Sequence, residues 1–336
     1  MGKEKKNIVK IVLFLGIGIT LIVILFKDFD LKKMLDDLRN VDYFWVGISM
    51  LCGLLAMVSR GLRWNILIES MGHTASKANT TNTVIFGYFI NLFIPRAGEL
   101  ARCTSLNQIE GIPVNKLVGN ILLERTFDLV ILISLVGSVF LLNFDDILYF
   151  FNELSTIEEG STQESSPLKY IILGAITLLG IVLFLFRKKI QHSPLYSKAK
   201  DFITGIKEGF KSAFKMKNKG LFLFHTFFIW LMYFMMTYVV FFAIPDTSHL
   251  GVGDGIYIMV VGGLGMVVPV QGGLGPYHLA VSIGLSSLGI EKGDGLLFAT
   301  VVHAAQTIMV LSSGGFSTIM LSLAKRKLAK NAANHT

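Results

Sequence analysis

The chain has 336 residues, 52% hydrophobic and only 16% charged, with a mean hydropathy of +0.61. A soluble domain carries about 25% charged residues, so this composition excludes one and reads as an integral membrane protein. The net charge of +8 sits in a few loops, where basic residues set membrane orientation, so no nucleic-acid partner is expected.

The first expected span is Ile8–Phe26, with Lys3, Lys5 and Lys6 before it and Lys10 at its start, which place the N-terminus in the cytoplasm. No small-residue cleavage site follows it, so it reads as a retained span rather than a signal peptide. Residues 28–41 read as a short amphipathic helix on the outer surface, with Leu31, Met34, Leu35 and Leu38 at helical spacing. A second span covers Tyr43 to Val58. Arg60, Arg63 and Trp64 then mark a cytoplasmic end, an interfacial helix runs to Met71-Gly72, and residues 73–82 form a turn.

Val84 to Ile94 is apolar but too short to cross a bilayer, and Pro95, Arg96 and Gly98 end it. It reads as one arm of a re-entrant hairpin, with a polar helix from Glu99 to Gln108 as the other. After a turn at Gly111-Ile112-Pro113, a third span runs from Leu117 to Leu142 and carries Glu124, Arg125 and Asp128. Residues 143–168 hold six acidic residues and no lysine or arginine, and read as an external loop.

The fourth span is Tyr170 to Phe186. Residues 187–219 carry ten Lys/Arg, and a basic amphipathic helix near 195–217 is expected on the inner leaflet, or packed on the protein. The fifth span is Leu221–Ile244. Residues 255–288 form two apolar half-helices around a glycine-rich break at Pro269, Gln271, Gly272, Gly273 and Gly275. The last span, about 296–323, ends in the basic tail 325–336, cytoplasmic like the N-terminus.

The two proline breaks align, Phe93-Ile94-Pro95 with Val267-Val268-Pro269, and Gly111-Ile112 aligns with Gly289-Ile290. The fold class is therefore an all-α polytopic membrane protein of six full spans plus two re-entrant broken-helix hairpins. The chain is one membrane domain, 1–336, with an inverted repeat of halves at about 1–142 and 169–324. Inverted repeats with broken helices are a transporter architecture.

Charges in a bilayer face a cavity, a partner or a pathway. Arg96, Glu99 and Arg102 lie three apart on one helical face, with the glutamate able to hold either arginine. Arginine's planar fork suits phosphate. Two readings stay open: a phosphate-headgroup site, or an internal salt bridge closing the hairpin. The same choice stands for Glu124, Arg125 and Asp128, and a proton-coupled carboxylate is a third option there. Glycines at 272, 273 and 275 leave backbone amides free for an anion at a half-helix start, or serve close packing. His303 and Gln306 share a face of the last span, at about the level of the charged cluster. No nucleophile–base pair or HExxH appears, and Cys52 and Cys103 have no metal-ligand spacing. No catalytic residue, metal or cofactor is expected.

Ser59-Arg60-Gly61-Leu62-Arg63-Trp64, Asn91 to Arg102 (with Pro95-Arg96-Ala97-Gly98-Glu99), Glu124-Arg125-Thr126-Phe127-Asp128 and Pro269 to Gly275 together resemble the membrane domain of the lysylphosphatidylglycerol synthase/flippase family. The resemblance spans nearly the whole chain. It implies movement of a lipid between leaflets, and its bifunctional members make that lipid in a separate soluble domain. No such domain is expected after the last span, so synthase activity is not expected. Pro276-Tyr277-His278 also stands where the family resemblance implies an acidic residue.

The expectation is thus a flippase or scramblase-like transporter in the cytoplasmic membrane, not an enzyme. Its partner is a phospholipid or other anionic lipid, with a phosphate-containing headgroup; aminoacylated and polyprenyl-linked lipids are candidates, and a homodimer is open. Substrate contacts are expected from Arg60, Asn91, Pro95, Arg96, Glu99, Arg102, Glu124, Arg125, Asp128, Pro269, Gln271, Gly272, Gly273, Gly275, His303 and Gln306, lining a polar cavity between the hairpins. A lipid-modifying enzyme and a non-transporting scaffold subunit are the alternatives.

Overall fold

The computed structural model describes residues 36–159, 216–268 and 270–333. The expected spans Ile8–Phe26 and Tyr170–Phe186, nearly all of the basic helix near 195–217, and Pro269 lie outside the described residues.

Among the described residues, which hold no strand, residues 36–39 are helical (the rest of the expected 28–41 helix up to 35 lies outside them), and nine further α-helices follow: α1 (Tyr43–Ser70), α2 (Lys77–Phe93), α3 (Gly98–Glu110), α4 (Val114–Leu142), α5 (Phe144–Glu159), α6 (Lys219–Tyr238), α7 (Val252–Gly265), α8 (Pro276–Ser287) and α9 (Lys292–Ala333). A 3₁₀ turn, Val239–Ala243, extends α6. Among the described residues, four helices are long and apolar enough to cross a membrane: α1, α4, α6 with its extension, and α9. They coincide with the four expected spans that fall among the described residues. At about 1.5 Å per residue α9 is roughly 60 Å long, twice the hydrocarbon thickness of about 30 Å. Its exposed, lysine-rich last turns therefore project beyond the apolar slab.

The order long helix, broken hairpin, long helix occurs twice, as α1–α4 and α6–α9. In the first hairpin α2 and α3 are separated by Ile94–Ala97; in the second, α7 and α8 are separated by residues 266–275. Both second arms stop at a left-handed glycine, Gly111 (φ 70°) and Gly289 (φ 84°). Each glycine is followed by a buried isoleucine, Ile112 or Ile290. The aligned Gly-Ile pairs thus make the same local structure, because a glycine adopts positive φ without a Cβ clash.

The helix cap at Asp42 ties the halves together. Its side chain accepts from Phe44 N at 3.0 Å, and its own N–H donates to Ala243 O at 2.9 Å. Helix α1 packs on α6 and α2, α9 on α2 and α8, and α7 on α8. One apolar core, around Phe241, Tyr257, Val281 and Phe298, belongs mainly to the second half, with Val46 and Val139 from the first. Another, around Trp64, Leu67, Leu106, Leu117 and Phe222, belongs mainly to the first. The charged site lies against this second core.

Several local readings change. The span to Val58 and the interfacial helix after it are one continuous helix, α1. Arg60 is 6% exposed and Arg63 and Trp64 0%, so the expected membrane-surface marker is interior. Composition alone cannot tell these cases apart: arginine at a helix end and arginine paired to a carboxylate on another helix look alike in one sequence. The expected turn at 73–82 is a loop only to Ser76, and the first arm is the 17-residue helix α2. The expected external loop is helical over Phe144–Glu159, because Ile147 and Phe150 pack on the second-half core. Glu153 then pairs with Lys292 at the start of α9.

Candidate functional site

Arg60 and Arg63 lie three apart on α1, and Glu124 and Asp128 four apart on α4, so each pair shares one helical face. The two faces meet. Arg63 grips Asp128 with a two-pronged fork, Nη1 to Oδ1 at 2.8 Å and Nη2 to Oδ2 at 3.1 Å, and Nη2 also donates to Glu124 Oε1 at 2.9 Å. Arg60 Nη2 donates to Asp128 Oδ2 at 2.6 Å, with its Nε 3.5 Å from Glu124 Oε1. From α3, Arg102 Nη2 donates to Glu124 Oε2 at 3.0 Å while its guanidinium lies 4.7 Å from the centre of the Trp64 ring. Thr226 on α6 accepts from Arg63 Nη1 at 3.2 Å.

All five charged side chains are at least nine-tenths buried. Three guanidinium groups face two carboxylates, so the cluster carries one net positive charge. The Nε atoms of Arg60, Arg63 and Arg102 are buried without hydrogen-bond partners. Desolvation makes a buried, hydrogen-bonded ion cluster costly to break, even where its net stabilising value is small.

The cluster opens on a small cleft. Its lining comes from Arg60 (α1), Gly87, Tyr88 and Asn91 (α2), Glu99 and Arg102 (α3) and Arg125 (α4). Its volume is about 30 Å³, close to the share of one water in the liquid. The hairpin around it is tightly closed. Asn91 Oδ1 accepts from Gly98 N at 2.7 Å, and a Cβ on Gly98 would lie 2.1 Å from Gly87 O. The first break thus needs glycine at 98 for backbone-to-backbone approach. Arg96 adopts φ 62°, a conformation that costs a non-glycine residue about 1 kcal/mol or more. It projects away from the cluster, with Nη2 3.4 Å from Val267 O in the second break.

The expected trio Arg96, Glu99 and Arg102 is therefore split. Arg102 is interior and Arg96 is exposed beside the half-buried Pro95. Glu99 holds neither; it pairs with Arg125 at the surface of the cleft. Helix α4 likewise divides its charges, Glu124 and Asp128 inward and Arg125 outward. Arg63, expected as a membrane-end marker and not as a site residue, pairs with both carboxylates of the cluster. The available signal was its spacing of three from Arg60, matched by the four-residue spacing of two carboxylates on another apolar helix.

The remaining expected residues gather elsewhere. Gly272, Gly273 and Gly275 all have positive φ, 60°, 75° and 91°. Gly272 O meets His303 Nε2 at 2.8 Å. Gln271 is half-buried in the short turn Gln271–Gly273, and Gln306 is half-buried one turn beyond His303. None of these lines the arginine cleft. The breaks touch, with Arg96 against Val267 O and Gly272 beside Leu92 of α2.

Fold and site together define an all-helical integral membrane protein with two broken hairpins and an arginine-rich ion cluster behind the first. The family model of the lysylphosphatidylglycerol synthase TM region matches residues 7–314, most of the chain, and the chain belongs to that family. It is also similar to the UPF0104 membrane protein MJ1595 of Methanocaldococcus jannaschii, 28% identical over 127 residues. That match covers 37% of this chain and 38% of the relative. No solved structure matches the chain.

Proposed function

We propose that this protein moves a phosphate-containing lipid headgroup between leaflets, as a flippase or scramblase-like transporter of the cytoplasmic membrane. One observation carries the reading: a buried cluster of three arginines and two carboxylates, with one positive charge in excess, opening on a cleft at a broken hairpin. Arginine forks match phosphate oxygens. The family is the membrane region of lysylphosphatidylglycerol synthase-like proteins, and that is consistent with a lipid substrate. Glu99 at the cleft mouth would meet an ammonium on an aminoacylated headgroup, or release Arg125 to meet phosphate.

The cleft is too small for a headgroup as it stands, so transport requires the first hairpin to move from α1 and α4. A larger groove of about 550 Å³ runs between α1, α2 and α9, walled by Met50, Leu54, Ile85, Met309 and Phe316. Its apolar wall suits a hydrocarbon chain rather than the headgroup. We place the chain as six spans with two re-entrant hairpins in inverted halves and both termini cytoplasmic. Single cysteines at Ala97 and Gly272, labelled from each side, test that placement; labelling of Ala97 only from outside in a resting state rules it out.

The transport test is a proteoliposome assay with fluorescent anionic and aminoacylated lipids. Wild-type protein should speed their exchange between leaflets, and Arg125→Gln should slow it without unfolding the protein. A folded protein that moves no lipid tested overturns the reading, and appearance of a chemically altered lipid would favour a lipid-modifying enzyme.

A further inference from the structure

The second break is closed by histidines. His303 on α9 and His278 on α8 are both buried, with ring centres 4.8 Å apart and planes nearly perpendicular, 84°. Tyr277 lies against both rings, 5.9 Å from His278 and 5.5 Å from His303. A carbonyl oxygen only accepts, so the 2.8 Å contact with Gly272 O requires the proton of neutral His303 to be on Nε2. That bond holds the left-handed glycine of the break to α9. His278 Nδ1 is buried with no hydrogen-bond partner.

Among the described residues, no carboxylate pairs with either imidazole. The other ionisable groups around α8 are elsewhere: Tyr257 bonds Ser287 at the far end, the Glu153–Lys292 pair closes the start of α9, and Arg96 points at Val267 O from the first break. Among the described residues, a protonated His278 would face the imidazole of His303, 4.8 Å away between ring centres. Close packing adds to the enclosure, since a Cβ on Gly265 of α7 would lie 2.8 Å from Pro276 O.

We infer that His278 and His303 form a proton-binding site that controls opening of the second break. Imidazole is the side chain that titrates near neutral pH. A proton added to the closed pair becomes a buried cation with no counter-ion, which is strongly disfavoured. The same proton on an opened break is hydrated. The open form therefore binds the proton more tightly than the closed form, and by linkage the proton shifts the population toward the open form. Each unit of difference between the two states' proton affinities, on the pKa scale, is a tenfold change in the opening equilibrium. Only the groups themselves are needed: two imidazoles without a carboxylate, one of them tied to a backbone carbonyl whose glycine can rearrange freely.

The experiment reads opening directly and needs no lipid substrate. Val270 is 5% exposed beside Gly272, so Val270→Cys is labelled by a maleimide only when the break opens. Leu141 is 83% exposed on α4, and Leu141→Cys in a matched protein corrects for the thiol's own pH dependence. Cys52 and Cys103 are both buried, and the parent chain measures their background. In purified full-length protein, the corrected rate should rise several-fold as pH falls from about 7.5 to 5.5, across the imidazole range. That pH dependence should weaken in His303→Gln, whose amide N–H still serves Gly272 O, and in His278→Phe, which fills the same space, and should be lost in the double variant. A flat wild-type rate, or an unchanged pH dependence in either variant while it elutes as a folded species, overturns the proposal. Lack of lipid movement in proteoliposomes would overturn the transport reading and leave this result standing, so the two failures are distinct.

Discussion

Asp128→Asn removes one charge and almost no volume from the centre of the ion cluster. In the folded protein, both Asp128 oxygens are engaged: Oδ1 by Arg63 at 2.8 Å, and Oδ2 by Arg60 at 2.6 Å and Arg63 at 3.1 Å. The variant leaves three buried guanidinium groups around Glu124 alone, so the excess charge doubles. Asparagine also turns an NH₂ donor toward guanidinium donors. Breaking one side of a buried ion pair costs about 3–5 kcal/mol. At about 2–4 °C per kcal/mol in a domain of a few hundred residues, that is a fall in Tm on the order of 10 °C. Trp64 is fully buried against Arg102 and serves as the fluorescence reporter in detergent. Arg60→Gln added to Asp128→Asn restores the charge balance and should recover at least about 1 kcal/mol, as coupled neighbours do in double-mutant cycles. A single variant that melts within 1–2 °C of wild type (about the effect expected of a surface pair), or a double variant no better than the single, refutes the claim that charge balance holds this cluster together.

Arg125→Gln touches only the half-exposed pair with Glu99; it should cost less than about 1 kcal/mol by the same melt. Gly98→Ala should abolish monodisperse expression, because its Cβ meets Gly87 O at 2.1 Å and both partners are backbone. Gly119→Ala on α4, where a Cβ meets nothing within 4 Å, should raise stability by up to about 1 kcal/mol through helix propensity. Asn91→Ala removes the acceptor of the Gly98 amide and should lower stability by about 1–3 kcal/mol, measured by thermal melt, because a partly buried donor loses its partner.

Hydropathy and turn chemistry determine much of this protein before any tertiary contact is considered. The four described spanning helices, the breaks at Pro95 and at the glycines after Val268, and the Gly111 and Gly289 stops are each set by local physics: apolar length, missing donors, and positive φ. The membrane character and the presence of buried charge follow from the same evidence. Partner choice does not. Whether Arg63 marks a membrane surface or fills a core depends on Glu124 and Asp128 sixty residues away reaching the same depth, and only the packing of α1 on α4 decides that. Likewise Glu99 is spaced for Arg96 or Arg102 along one helix, yet the break turns Arg96 away and the inward face of α3 takes Arg102. The structure also separates two polar centres, arginines at the first hairpin and histidines at the second, that seemed one cavity in the sequence. A sequence specifies which side chains seek partners; the long-range geometry of helix packing alone specifies which partners they find.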